Sequence, residues 1–289
     1  VKKPKITVIG SINMDLVTST EIFPEKGETV RGTTFETQPG GKGANQAVAA
    51  ARLGADVQMI GCVGDDAFGE ELLTVLQKEK INVDSVSTIP ETSSGLANII
   101  LTEKDNRIIF ISGANEHVTP AFVSTHKEQI LDSEIVVIQF EIPKETIEYC
   151  LAMCSENNIP VIVNPAPAMQ LSDEAWEKAT YITPNESERA QLFGDEYEEK
   201  MMITKGEAGV EFIEAGIKTN IPGHQVEVLD TTGAGDTFNG ALAAQLAQGS
   251  SLREALTFAN AAAALSVQKL GAQSGMPTAE EVDQFLKKG

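Results

Sequence analysis

The stretch DTTGAGDTFNG, residues 230–240, sets three glycines, three threonines and two carboxylates before a strongly helical run, ALAAQLAQG. Unpaired N–H groups at a helix start converge on one spot and favour an anion there. Gly233 and Gly235 permit close approach to that spot, and Asp236 puts a carboxylate beside it. Simple capping would use the carboxylate for about 1 kcal/mol. A cap, however, needs one Asp, Ser or Thr, and TTGAGDT has several without needing two glycines. A carboxylate adjoining an anion hole suits phosphoryl transfer: it accepts the proton of an attacking hydroxyl while N–H groups stabilise developing charge.

A second glycine-rich stretch, PGGKGANQAVAAARLG, opens another helix. Glu36 lies five residues before Gly41 and Gly43 occupies the Ser/Thr position, so this is not a Walker loop; Gln46 falls where a dinucleotide fingerprint needs its third glycine. Two readings remain open. Either the glycines close a turn onto a tightly packed helix, or a small ligand approaches backbone there, with Lys42 and Asn45 offering donors to hydroxyls.

These stretches need a frame. Apolar runs recur at KITVIG, VQMIGCVG, EIVVIQFE, PVIVNPAPA, YITPNE and KMMITKG, with helical patterns such as FGEELLTVLQKE and KETIEYCLAMCSEN between several of them. That alternation predicts an α/β three-layer sandwich, a mostly parallel sheet with helices on both faces. Ligands then bind beyond the carboxyl ends of the strands, which here carry SINMD, QFE, NPAPA, TPNE, TKGEAG and DTTGAGD. Residues 16–37 and 96–112 instead alternate apolar with polar, with turns at Pro24–Gly27 and Glu103–Asn106. They read as two hairpins of a small separate sheet, a discontinuous lid on one domain spanning 1–289. Its open face needs covering, by substrate or a second subunit.

Near the C-terminus, two helices join at QGSSLREA, where Ser251 and Glu254 have capping-box spacing. The run ANAAAALSV is small and apolar enough to pack against a sheet or a flat ligand. After the helix over ESERAQLFG, only DEYEE precedes KMMITKG. A parallel crossover takes a dozen or more residues, so either this junction is built differently or, the favoured reading, a stretch is missing between Gly194 and Lys200.

The 289 residues suffice for a large core, and the formal net charge of -20 makes nucleic acid or an anionic membrane a poor partner. A small phosphorylated ligand remains compatible, given local N–H groups and a few cations. Three cysteines, Cys62, Cys150 and Cys154, with no dense spacing and no secretory leader, point to a reducing cytoplasm. Cys150 and Cys154 are spaced to share a helix face, but His117, His126 and His224 are remote, which favours core packing over a metal. No apolar run reaches the roughly 18 residues of a membrane span.

GGKGANQA, NPAPA, TPNE and DTTGAGDTFNGAL, in this order and spacing, resemble the ribokinase-like (pfkB) family of carbohydrate kinases over nearly the whole chain. Within it, GSINMD, GGKGANQA and GAQ are most similar to the members that act on ribose, rather than on fructose, adenosine or phosphofructose. The resemblance implies ATP-dependent phosphorylation of D-ribose at its 5-hydroxyl, with Mg²⁺ and a monovalent cation activator, usually K⁺. It implies Asp236 as base, with the N–H groups of Gly233, Ala234, Gly235 and Asp236 as anion hole. Asn13, Asp15, Gly41, Lys42, Gly43, Asn45 and Glu141 would meet the sugar. Asn185 and Glu188 would lie near the phosphates and hydrated Mg²⁺. Thr204, Lys205, Gly206, Glu207, Ala208 and Gly209, with Gly235 and Asn260, would line the nucleotide. Asp230 and Thr232, with oxygens of Ser266, Lys269, Gly271 and Gly275, would hold K⁺. Family lids close over the sugar and often pair between subunits, implying a homodimer. The alternatives are a kinase for another sugar or nucleoside, and a non-catalytic sugar- or nucleotide-binding regulator on this fold.

Overall fold

The computed structural model describes residues 3–102 and 106–288. The chain begins β1 (Lys5–Ile9), β2 (Asn13–Thr20), β3 (Gly32–Gly40), α1 (Lys42–Arg52), β4 (Asp56–Gly64), α2 (Ala67–Lys78) and β5 (Asn82–Ile89). A second hairpin, β6 (Gly95–Leu101) and β7 (Asn106–Ile111), precedes α3 (Pro120–Ser124) and α4 (Lys127–Leu131). The middle alternates β8 (Ile135–Gln139), α5 (Lys144–Glu156), β9 (Val161–Asn164), α6 (Asp173–Lys178), β10 (Tyr181–Ile182) and α7 (Glu186–Leu192). Then come β11 (Met202–Thr204), β12 (Val210–Glu214) and β13 (Ile217–Ile221). The chain closes with α8 (Ala234–Ala247), α9 (Leu252–Ser266), α10 (Ala272–Gly275) and α11 (Ala279–Leu286).

Six strands form the parallel sheet, in the order β10-β9-β8-β1-β4-β5. Both faces are covered, so the strands are apolar on both sides. Along β8, Ile135 and Val137 join the core built with α1, α8 and α9, whereas Val136 and Ile138 join the core built with α5 and α6. Cys150 and Cys154 lie in that second core, and burial pushes the Cys154 thiol up to about 12.

The two expected hairpins join in a separate four-stranded sheet, β3-β2-β6-β7, antiparallel within each hairpin and parallel between β2 and β6. Only residues 10–12 separate β1 from β2. Asn13 and Asp15 therefore belong to the base of the small sheet rather than to a loop. The turn expected at Glu103–Asn106 falls on 103–105, outside the described residues.

Around KMMITKG the sheet changes character. β11 pairs antiparallel with β12, and β12 with β13, in a three-stranded sheet. It meets the edge of the parallel sheet at the isolated parallel bridges Ile182–Met201 and Asn185–Thr204. Between β10 and β11 lies α7. Tyr197 turns the chain in a left-handed conformation (φ 61°), and Arg189 fastens the return by donating to the Phe193 carbonyl at 2.7 Å and to Glu198 at 3.2 Å.

One contact sets the site's geometry. A Cβ on Gly240 of α8 would stand 2.5 Å from Ala49 Cβ and 2.7 Å from the Gln46 carbonyl, so this glycine lets α8 lie directly on α1. Asp236, one turn before Gly240, is thereby brought against Asn45 and Gln46.

Candidate active site

The start of α8 is built by Gly233, whose φ of 78° favours glycine, and where a Cβ would lie 2.8 Å from Ala272 Cα. The Ala234 N–H is used within the turn, donating to the Thr231 carbonyl at 3.2 Å. Those of Gly235 and Asp236 find no acceptor among the described residues. A Cβ on Gly235 would enter open space, so the approach to these N–H groups is clear. Buried Asp236 does not cap its helix. Its Oδ2 accepts from Asn45 Nδ2 at 2.9 Å and its Oδ1 from Gln46 Nε2 at 3.0 Å.

Behind this carboxylate lies a run of buried amides that the sequence did not reveal. Gln46 Nε2 also donates to Asn164 Oδ1 at 3.1 Å, and Gln46 Oε1 accepts from Gln139 Nε2 at 2.7 Å. Asn164 Nδ2 donates to the Thr183 carbonyl at 3.0 Å. Thr183 Oγ1 donates to Asn239 Oδ1, and Asn239 Nδ2 to the Gly235 carbonyl at 2.8 Å, closing the circuit onto α8. Gln139 Oε1 is buried with no hydrogen-bond partner among the described residues. Such an orphaned acceptor costs about 1–3 kcal/mol.

The polar groups expected to meet a sugar converge beside Asp236. Glu141 Oε2 accepts from Ser11 Oγ at 2.6 Å, from the Lys42 N–H at 3.1 Å and from Asn13 Nδ2 at 3.3 Å. Burial, reinforced by Glu141 and Asp236, pushes the Asp15 carboxyl up to about 7, against the opposing pull of Lys42. Burial disfavours the Lys42 ammonium, but Asp236, Glu141, Glu188 and Asp15 outweigh it and hold its pKa above the ordinary lysine value. The glycines of GGKG serve packing: a Cβ on Gly41 would meet Asn13 N at 2.7 Å, and one on Gly43 would meet Ser11 N at 2.6 Å. Asn45 has both polar ends engaged, since Gln273 Nε2 donates to its Oδ1 at 3.0 Å.

On the other side of the α8 start lies a cavity of about 250 Å³. Thr204, Gly206, Glu207, Gly209, Gly235 and Asn260 line it, as do Ala263, Ala264 and Val267 of the small apolar run. His224, Val226 and Val228 line it too; the sequence reading had not marked them, because nothing in their spacing distinguishes them from a surface loop. Lys205 and Ala208 are not among the lining residues, and Lys205 Nζ bonds Glu211 at 2.6 Å. Asn185 and Glu188 form a capping box on α7, with both bonds at 2.8 Å. Burial, partly offset by the Asn185 N–H and by Lys42, raises the half-buried Glu188 carboxyl.

Asp230 joins the segments expected to hold a cation. Its Oδ1 accepts from the Thr232 N–H at 2.9 Å and its Oδ2 from the Gly271 N–H at 2.8 Å. Burial opposes its charge, but these bonds win and hold its carboxyl below the usual range. The Ser266 carbonyl abuts Gly275. Thr232 and Lys269 are exposed at the rim of this loop pair.

A doubly covered parallel sheet, a free helix start with its carboxylate, a polar cluster on one side and a cavity on the other define a group-transfer site. Residues 3–279 match the pfkB family carbohydrate kinase description, and the chain belongs to the pfkB family of carbohydrate kinases. It is 48% identical to ribokinase of Bacillus subtilis, over 97% of this chain and 99% of that one. It is 34% identical to deoxyribokinase of Salmonella typhi, over 97% and 98%. Arabidopsis thaliana ribokinase, solved with ribose and ATP, superposes with a TM-score of 0.91 at 30% identity, covering 99% of both chains.

Proposed function

We propose that this chain transfers the terminal phosphoryl group of ATP to the 5-hydroxyl of D-ribose. The carrying observation is the placing of Asp236 beside the free N–H groups of Gly235 and Asp236, between the polar cluster and the cavity. Ribose lies among Asn13, Asp15, Lys42 and Glu141, and adenine nucleotide in the cavity, with Asn260 and the alanines of α9 along it. Asp236 accepts the 5-hydroxyl proton as that oxygen bonds the γ-phosphorus. The bond from phosphorus to the bridging oxygen breaks and ADP leaves with the electron pair. The Gly235 and Asp236 N–H groups stabilise charge on the phosphoryl oxygens.

Glu188 and Asn185 fit a hydrated Mg²⁺ near the phosphates: they offer hard oxygens, and the Glu188 carboxylate lies close enough to feel Lys42. Mg²⁺ would neutralise phosphate charge. Asp230, kept ionised beside the carbonyl-rich 266–275 segment, fits an alkali cation such as K⁺, which would fix the loop that leads into α8. Phe35, Ile108, Ile109 and Ile111 lie exposed on the small sheet, which supports its use as a lid that pairs with a second copy in a homodimer. We assign the enzyme to the cytosol, consistent with three unpaired buried cysteines. Among the described residues no helix is long and apolar enough to cross a membrane.

The test is ADP release with ribose, 2-deoxyribose, fructose, adenosine or no acceptor, with and without K⁺. Ribose should give the highest kcat/KM. The deoxyribokinase relative favours 2-deoxyribose as a second reading, and faster turnover of that sugar would establish it instead. Asp236→Asn should lose most turnover, on the order of 10²–10⁴-fold, while binding ribose and ATP. An undiminished rate refutes the base assignment.

A further inference from the structure

We infer that Gln46 is a positioning residue for Asp236, and that Gln139 in turn fixes the orientation of Gln46. This inference rests on the reading of Asp236 as proton acceptor. Both glutamines are fully buried, in places where ordinary packing would take an apolar side chain.

The direction of every bond in the run is forced. Asn164 Nδ2 is committed to the Thr183 carbonyl, so its Oδ1 must face Gln46. Asp236 Oδ1 also requires a donor. Gln46 must therefore spend both N–H bonds of its amide on these two oxygens, which turns its own oxygen toward Gln139. Gln139 must answer with its NH₂ group, and that leaves Gln139 Oε1 as the orphaned acceptor. Reversing either amide would set oxygen against oxygen or nitrogen against nitrogen.

The fold therefore keeps an unfavourable buried oxygen at one end of the run and obtains a single orientation of the carboxylate at the other. An apolar pair at 46 and 139 would remove the orphan but release Asp236 Oδ1. Asn45, held by Gln273, grips Oδ2 independently. Two neighbouring residues of α1 thus fix the plane of the carboxylate. The charged groups around Asp236 are Lys42 of α1, Asp15 of β2, Glu141 after β8 and, beyond Lys42, Glu188 of α7. Neither glutamine touches them, so changing either one leaves those charges in place.

The experiment compares Gln46→Met and Gln139→Met with the parent enzyme. It measures kcat, KM for ribose and ATP, the acid limb of the kcat–pH profile, ADP affinity and melting temperature. Gln46→Met should lower kcat by about 10- to 100-fold with both KM values nearly unchanged. Its acid limb should move to higher pH, because a carboxylate that loses a donor holds its proton more readily. Gln139→Met, which touches nothing on Asp236, should move both quantities the same way but less. A Gln46→Met enzyme that melts and binds ADP normally, with parental kcat and acid limb, overturns the inference. If that variant does not fold, Gln139→Met decides, and an unmoved acid limb there overturns it. Failure of the base reading shows separately, as retained turnover in Asp236→Asn.

Discussion

Asn115 donates its side-chain amide to Asn13 Oδ1 at 2.7 Å, and the pair is buried where the small sheet leaves the main one. Asn115 Oδ1 also accepts the Ile12 N–H at 3.0 Å. This fixes which end of Asn13 faces Glu141 and the sugar cluster: its Nδ2 group. Asn115→Leu would leave Asn13 Oδ1 and the Ile12 N–H unpaired, at a cost of about 1–3 kcal/mol each. We predict a ribose KM raised roughly tenfold, from about 1.4 kcal/mol of lost binding, with the KM for ATP unchanged. Steady-state kinetics in each substrate checks this, and an equal rise in both KM values would count against it.

With its carboxyl raised to about 7, Asp15 should make sugar binding pH-dependent. Between its unfolded value near 4 and about 7, the folded state holds more protons than the unfolded one. Stability from this group therefore declines as pH rises through that window. Sugar binding should run the other way, since a carboxylate accepts two hydroxyl hydrogen bonds more readily than a carboxylic acid does. Titration calorimetry from pH 6 to pH 8, values chosen to bracket about 7, should show ribose affinity increasing. Asp15→Asn should flatten the profile.

Gly235→Ala should separate chemistry from folding. The added methyl meets nothing within 4 Å, so the melting temperature should stay put. It would nevertheless occupy the approach to the free N–H groups. Turnover should fall by about 10²-fold. A normal kcat would mean that the phosphoryl oxygens lie elsewhere.

Gly240→Ala should do the reverse. Its methyl collides with Ala49 and the Gln46 carbonyl, forcing α8 away from α1. Overpacking of this kind costs about 1–3 kcal/mol and should lower the melting midpoint by a few degrees. Because Gln46 and Asp236 straddle the same contact, kcat should drop along with stability.

Much of this was legible in the sequence because it is local. Runs such as EIVVIQF announce doubly covered strands, and GGKGANQA and DTTGAGD place their residues within a single helix start. The capping box of Ser251 and Glu254 is read from a spacing of three and is present, with Glu254 Oε2 accepting from the Ser251 N–H at 2.9 Å. What escaped depends on distant pairing. Gln46 and Gln139 look like solvent-facing residues until Gly240 brings α8 onto α1 and β8 ends beneath them. Ser11, which secures Glu141, is 130 residues from its partner.

Asn13 and Asp15 ride on β2 of the small sheet, whereas Asp236 and its flanking N–H groups sit on α8, clamped to α1 inside the main core. Part of the proposed sugar site thus rides on a different sheet from the proposed proton acceptor, while Lys42 and Glu141 belong to the main body. Exchanges along β2 should therefore change which hydroxyl pattern is accepted while the start of α8 keeps its geometry.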